Sequence, residues 1–335
     1  MKKVRWGIIS TANIAQSQLI PAIFRAENAE VSAIASRSNK VHAIASRLNI
    51  PKAYESYEEI VADPAIDAVY IPLPNHLHKE WVLKAAAAGK HILCEKPAAL
   101  TAADAEGMIA TCQSAGVKFM EGFMYQLHPQ HARVKEIMAS GEIGDVKLIR
   151  SSHSFYLENR VKDIRMDKSM GGGALYDLGC YCIQAVRHLS EAEPVEVHAV
   201  SEIDAAAGVD MSASVNLKLD NGIAAIFDCS FDMASRNEYE VIGTKGTIKV
   251  PYAFRPDINA GVGVIVVETA GSSRKEEIHG DLYRLEVEHF SSAVLSGSPL
   301  AITADSTIRN MRVLDACFEA SKTTKAISMD FKGKG

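Results

Sequence analysis

The chain has 335 residues, 47% of them hydrophobic and 23% charged, with a formal net charge of −5. This length predicts two domains, each large enough to bury a core. The charge supplies no basic field for nucleic acid or an anionic membrane, and no apolar run approaches the roughly 18 residues that span a bilayer.

In chain order, residues 3–9 read as a strand. The basic start resembles the head of a signal peptide, but Ser10, Thr11 and Asn13 cut the apolar segment short. A helix is predicted over 12–26, a strand over 30–36, a helix over 40–48, a strand over 67–71 and a helix over 76–88. A strand then ends in Cys94-Glu95-Lys96-Pro97, followed by a helix over 101–115 and a strand over 117–121. Strands alternating with helices of about 10–15 residues indicate βαβ units, a parallel sheet and right-handed crossovers.

The pattern changes after Phe123. A helix over 128–140, a long strand over 145–157, a loop over 158–173 and a helix over 174–189 lead into alternating strands at 195–201, 212–219, 224–230, 238–242, 247–250 and 262–268. Asp220-Asn221-Gly222 and Thr244-Lys245-Gly246 are hairpin turns. Two helices, 282–295 and 303–321, follow. The expected fold class is therefore α/β: a doubly wound Rossmann sheet in residues 1–122, then an α+β domain in 123–335 whose mostly antiparallel sheet is covered on one face by the 174–189 helix. The 303–321 helix is a candidate to pack back on the first domain.

The first turn, Gly7-Ile8-Ile9-Ser10-Thr11-Ala12-Asn13-Ile14-Ala15, joins strand to helix as a dinucleotide fold needs, with Ser10, Ala12 and Ala15 in place of the three glycines. Serine and alanine serve there if φ stays negative. Ser10, Thr11, Ala12, Asn13 and Ile14 are then candidate cofactor contacts, through helix N-terminal N–H groups. An ordinary βα turn is the alternative. The second strand ends in Ser36-Arg37-Ser38 with Lys40 near and no acid, which suits the 2′-phosphate of NADP better than the 2′-hydroxyl of NAD. A solvated Arg at a helix start remains the other reading. Leu73-Pro74-Asn75-His76-Leu77-His78 follows the next strand. Asn75 is the expected helix N-cap, and Leu73, Pro74, Asn75 and His78 are candidate cofactor contacts.

Pro97 stops its strand and leaves Glu95 and Lys96 at the carboxyl edge of the sheet, where open α/β sheets bind ligands. A surface Glu–Lys pair is the alternative. Gly171-Gly172-Gly173 opens the helix that carries Asp177 and Tyr181, four apart and on one helical face. Gly179, inside that helix, calls for a packing or access reason. The six cysteines form no C-x-x-C and sit in apolar patterns, as expected for a reducing, cytoplasmic setting. No His, Cys or carboxylate spacing completes a metal site.

Together, Cys94-Glu95-Lys96-Pro97, Glu121-Gly122-Phe123-Met124-Tyr125 with His128-Pro129, Ile164-Arg165-Met166-Asp167, and Gly171-Gly172-Gly173-Ala174 through Asp177-Leu178-Gly179-Cys180-Tyr181 closely resemble the Gfo/Idh/MocA family of NAD(P)-dependent oxidoreductases. Tyr181 looks like the subgroup holding dihydrodiol dehydrogenase, NADP-dependent D-xylose dehydrogenase and glucose–fructose oxidoreductase. Gln126 departs from the arginine that related members often carry. The resemblance implies that Lys96 and Tyr181 face each other beside the nicotinamide, that Lys96–Pro97 is cis, and that the open sheet face makes a homodimer or homotetramer. It also implies a sugar, anhydro-sugar or cyclic diol as substrate.

On that reading Lys96, Tyr181 and Asp177 are the catalytic candidates. Tyr181 is the acid/base: its phenol, with an ordinary pKa of about 10, needs a neighbouring cation to act near neutrality. Lys96 supplies that cation and polarises the substrate oxygen. Glu95 and Arg165 are candidate cofactor contacts beside Lys96. Tyr125 and Tyr156 join Lys96, Asp177 and Tyr181 as substrate-binding candidates, with His153 at the same lip. A catalytically silent dinucleotide-binding regulator of the same fold is the alternative function.

Overall fold

The computed structural model describes residues 2–331. Its contacts divide into two compact units: residues up to Met124 together with Tyr283–Ile308, and Tyr125–Leu282 together with Arg309 onward.

In the first unit, strands β1 (Val4–Ile9), β2 (Ala29–Ala35), β3 (Lys52–Tyr54), β4 (Ala68–Ile71), β5 (His91–Cys94) and β6 (Phe119–Glu121) form one sheet in the order β3-β2-β1-β4-β5-β6. Every pairing in it is parallel. Every residue of β4 and the last three of β5 are buried, as parallel strands covered on both faces require. The connections are α1 (Ile20–Arg25) after a π-helical turn (Ala15–Leu19), α2 (Val41–Arg47), α3 (Tyr57–Ala62), α4 (Asn75–Ala87) and α5 (Ala102–Ser114). This is the doubly wound Rossmann order, and its strand order reverses between β1 and β4, where a crevice opens at the carboxyl ends.

Several local expectations are corrected. β3 and α3 were not foreseen, although Ser56 and Glu59 form a capping box that signals the start of α3. Asn75 is not an N-cap: Pro74 takes that place and Asn75 is the first helical residue, because the proline ring presets the approach. Ser10 does not keep a negative φ but sits at φ 122, a backbone state that glycine adopts freely. Its Oγ offsets part of that strain by accepting from the Ala12 N–H at 3.0 Å. Residues 283–308 belong with the first unit rather than the second. The reason is the apolar stripe of α8 (Leu282–Ser296), which needs β1: the Trp6 and Phe290 rings lie 5.3 Å apart, and Trp6 Nε1 donates to Ser291 Oγ at 3.1 Å. The last helix, α9 (Ala304–Thr323), divides between the units after Ile308.

Among its described residues the second unit holds α6 (Pro129–Ala139) and the strands β7 (Val146–Tyr156), β8 (Pro194–Ile203), β9 (Asp210–Leu219), β10 (Ala224–Ser230), β11 (Asp232–Gly243), β12 (Gly246–Val250), β13 (Val262–Thr269), β14 (Ser272–His279) and β15 (Ile327–Ser328). Their order is β14-β13-β12-β11-β7-β10-β9-β8-β15. The β7–β10 pair is parallel and the others are antiparallel, giving the expected mostly antiparallel sheet. β14 escaped the sequence reading because its Ser-Ser-Arg-Lys-Glu-Glu stretch has no apolar alternation; charge on an edge strand also deters unwanted pairing. A π-helical turn (Leu175–Gly179) runs into α7 (Cys180–Ser190), which packs on β7 and β10. The other face carries a concavity of about 680 Å³ whose lining includes Arg150, Ser152, Asn216, Asp228, Glu240 and Lys249.

All six cysteines are free and buried. Among the described residues no group of His, Cys, Asp and Glu is arranged to hold a metal ion, and no helix is long and apolar enough to cross a membrane.

The Ser10 geometry sets an order of stability. Ser10→Ala keeps the unfavourable φ and loses the hydroxyl bond, so urea unfolding is expected to show a loss of about 1 kcal/mol, whereas Ser10→Gly is expected to be at least as stable as the parent.

Candidate active site

The first unit supplies a donor-rich crevice at the β1–β4 switch point. Thr11, Ala12 and Ile14 are half-buried and Asn13 is exposed at the start of the helix. Thr11 Oγ1 lies 3.4 Å from Ser36 Oγ, and Ser36 Oγ accepts from the Ser38 N–H at 3.3 Å, so the ends of β1 and β2 are tied together. The exposed Arg37 guanidinium lies 5.1 Å from the Tyr57 ring centroid and 5.7 Å from that of Trp81, which limits where the charge can point. No Asp or Glu occurs from 36 to 41. Backbone N–H groups at a helix start, two serine hydroxyls and a braced guanidinium suit a dinucleotide bearing a 2′-phosphate.

The Glu95–Lys96–Pro97 turn follows β5, and its Lys96–Pro97 peptide is cis. Buried polar groups hold it from several elements. Tyr70, fully buried on β4, donates its O–H to Glu95 Oε1 at 2.5 Å. The Lys96 N–H donates to Glu95 Oε2 at 3.3 Å, and the Ala98 N–H to Glu121 Oε1 at 2.9 Å. Gly122 donates to the Cys94 carbonyl at 2.7 Å, and a side chain there would crowd that carbonyl oxygen. His78 is completely buried, with Nδ1 2.9 Å from the Pro97 carbonyl and Nε2 2.8 Å from that of Leu73. Burial pushes its pKa down to about 4 against the pull of those carbonyls. His78 therefore ties two crevice turns together from below instead of presenting a ring to the cofactor, and Leu73 is likewise buried at 7% exposure.

In the second unit, Gly171 and Gly173 adopt positive φ, and a side chain on Gly173 would run into the Asp210 carboxylate. Asp210, the first residue of β9, takes the Leu175 N–H on Oδ2 at 2.6 Å and so caps the helix that carries the candidate residues. The expected i,i+4 face is altered by the π-helical turn, in which Asp177 lies. Asp177 accepts from Arg165 Nε at 2.6 Å, and Asp163 holds the same guanidinium at 3.4 Å. The charge of Asp177 raises the pKa of Arg165 further. Gly179 meets Cys229 of β10, the packing reason its position called for.

Tyr181, 6% exposed, stands in a cage of rings. Ring centroids lie 5.2 Å away at His153, 5.5 Å at Phe254 and 5.8 Å at Tyr125. His153 stacks on Phe254 at 4.9 Å. Tyr125 is fully buried and donates its hydroxyl to Gln184, whose amide donates to Gln126, so it supports Tyr181 and does not itself face a substrate. Tyr156 is not gathered here. It is three residues from His153 on β7 and hence on the opposite face, 59% exposed, with Arg160 over its ring at 5.5 Å. Lys96 belongs to the first unit, and Asp177 and Tyr181 to the second.

The sequence reading missed Asp210, Tyr57, Trp81 and the structural use of His78. A lone acid before a strand carries no signature. The aromatics of α3 and α4 become informative only once Arg37 is seen above them.

Residues 4–123 match the model of an oxidoreductase family with an NAD-binding Rossmann fold, and residues 131–249 match the Gfo/Idh/MocA C-terminal domain. D-xylose 1-dehydrogenase (NADP(+)) 2 of Haloferax volcanii is 39% identical over 97% of this chain and 99% of its own. The solved aldose–aldose oxidoreductase of Caulobacter crescentus, complexed with glycerol, superposes with a TM-score of 0.91 at 26% identity, covering 98% of this chain and 100% of that one. The 3-ketoreductase KijD10 of Actinomadura kijaniata, in complex with NADP and TDP-benzene, gives a TM-score of 0.89 at 30% identity, covering 95% and 98%. The chain belongs to the Gfo/Idh/MocA oxidoreductase family. It is an NAD(P)-dependent oxidoreductase with a Rossmann domain.

The cap at Asp210 carries a pH signature. Burial raises its pKa from 3.8 to about 7, outweighing the N–H bonds from Leu175 and Ala174 that favour the carboxylate. Its contribution to stability is therefore complete below the unfolded pKa and is lost as pH rises through the folded one. Across that window the stability of the parent relative to Asp210→Asn is expected to fall by about 4 kcal/mol, read by urea unfolding at several pH values.

Proposed function

We propose that this oxidoreductase transfers hydride between NADP(H) and a hydroxyl- or carbonyl-bearing carbon of a sugar or related polyol. The observation that carries the reading is Lys96 at the carboxyl edge of a parallel sheet in Rossmann order, on a turn fixed by buried polar contacts. The names of the D-xylose, aldose and nucleotide-sugar relatives support a sugar substrate.

Bound NADP supplies the hydride acceptor or donor at its nicotinamide ring. The residues from Ser10 to Ile14 would hold its pyrophosphate, and Ser36, Arg37 and Ser38 its 2′-phosphate. In the oxidative direction Tyr181 takes the substrate hydroxyl proton as the carbonyl forms; in reduction it returns one. The Lys96 ammonium favours the phenolate form of Tyr181 and stabilises negative charge on the substrate oxygen. Asp177, oriented by Arg165, offers its carboxylate to a further substrate hydroxyl; Arg165 is thereby a positioning residue. Glu95 keeps Lys96 in place. A second copy of the chain covers the open sheet face, where Arg150, Asp228, Glu240 and Lys249 mix charges as a self-complementary interface needs.

Lys96→Ala and Tyr181→Phe are each expected to lower kcat by about 100-fold or more, while fluorescence titration still shows NADPH binding. Near-normal turnover in both contradicts the mechanism. NADPH binding by the parent with no turnover across aldoses, ketoses and diols indicates the regulatory alternative.

Arg37→Ala is expected to lower kcat/KM for NADP by about 10- to 100-fold, the value of one or two charge-assisted bonds, and to leave NAD kinetics nearly unchanged. Steady-state kinetics with both cofactors check this.

A further inference from the structure

Helix α8 carries an acid where its pattern requires an apolar residue. Leu282, Tyr283, Glu286, Val287 and Phe290 recur at helical spacing, and none is more than 3% exposed. Glu286 Oε1 is buried and has no hydrogen-bond partner among the described residues. Two groups on other elements of the first unit interact electrostatically with this carboxyl: Tyr70 on β4 and Glu95 at the end of β5. Tyr283, one turn earlier on α8, acts on Tyr70. Tyr70 already donates its only proton to Glu95 Oε1, and the Lys96 N–H points to Glu95 Oε2. Cys94 and Lys96 flank Glu95 along the chain.

An ionised Glu286 would be a second carboxylate beside Glu95, with one oxygen away from water and without a donor. Both conditions oppose the charge, and a neutral carboxyl removes the repulsion at far lower cost. We propose that Glu286 is a positioning residue for the Glu95–Lys96–Pro97 turn, a buried acid that stands protonated and so puts no second charge beside that of Glu95. Burial, followed by the Glu95 charge, holds its pKa well above the usual carboxylate range. With Glu286 neutral, the Tyr70 O–H and the Lys96 N–H both stay on Glu95 and the lysine keeps its place. Ionising Glu286 would set two carboxylates against each other and loosen the turn. The link to turnover rests on the reading of Lys96 above; the protonation state does not.

Infrared difference spectra of the intact protein at neutral pH, parent minus Glu286→Gln, test the protonation state. The expected result is a carboxylic acid C=O band present in the parent, lost in the variant and shifted by ¹³C-glutamate labelling. Kinetics of folded variants test the positioning role. Glu286→Gln, a neutral isostere, is expected to keep kcat within about twofold, and Glu286→Ala to lower it about tenfold with the NADPH Kd unchanged. Absence of the band overturns the proposal. So does a folded Glu286→Ala variant with parental kcat, or a Glu286→Gln variant as impaired as Glu286→Ala. If the parent itself turns over no sugar or polyol, the catalytic reading falls and the band still decides the state of Glu286.

Discussion

The turn after β5 depends on hydrogen bonds from side chains buried beneath it. A charged lysine at a strand end is ordinarily mobile. Here its neighbours are fixed: Tyr70 holds Glu95, Glu121 takes the Ala98 N–H, and His78 bridges the carbonyls of Leu73 and Pro97. Tyr70, Glu121 and His78 are buried, so their bonds are costly to leave unmade. These bonds restrict the turn from three sides and so restrict the base on which the lysine stands. A group that stabilises developing charge does so most effectively when it need not reorganise.

The second unit solves the same problem with different parts. Its glycines let the chain close on Asp210, and Asp210 caps the start of the helix. The π-helical turn that follows carries Asp177, which is locked to Arg165. Tyr181 is placed by rings, not by backbone: His153, Phe254 and Tyr125 leave its phenol few orientations. In both units a buried acid that serves position, Glu286 or Asp210, has its pKa raised by burial.

Fold class and family were legible from periodicity and from a few motifs, because alternation of strands and helices survives local irregularity. What escaped has physical causes. β14 pairs through its backbone, and its charged side chains hide the strand. Ser10 carries a glycine-like φ that the residue name conceals. Tyr125 was grouped with Tyr181 through the family resemblance and Tyr156 as part of a polar lip, yet one is fully buried and the other turns to the opposite face of β7. Glu286 left a readable trace as an acid within an apolar helical stripe; its meaning came only with Glu95 in view.

We propose that Lys96 sets the protonation of Tyr181 during proton transfer. The most direct measurement is the pH dependence of kcat/KM for oxidation of a polyol or aldose by the parent and by Lys96→Met. The account predicts a basic group in the parent that titrates well below the phenol value of about 10, and a shift of that limb toward about 10 in the variant, with a large fall in rate. A limb at the same pH in both proteins would contradict it.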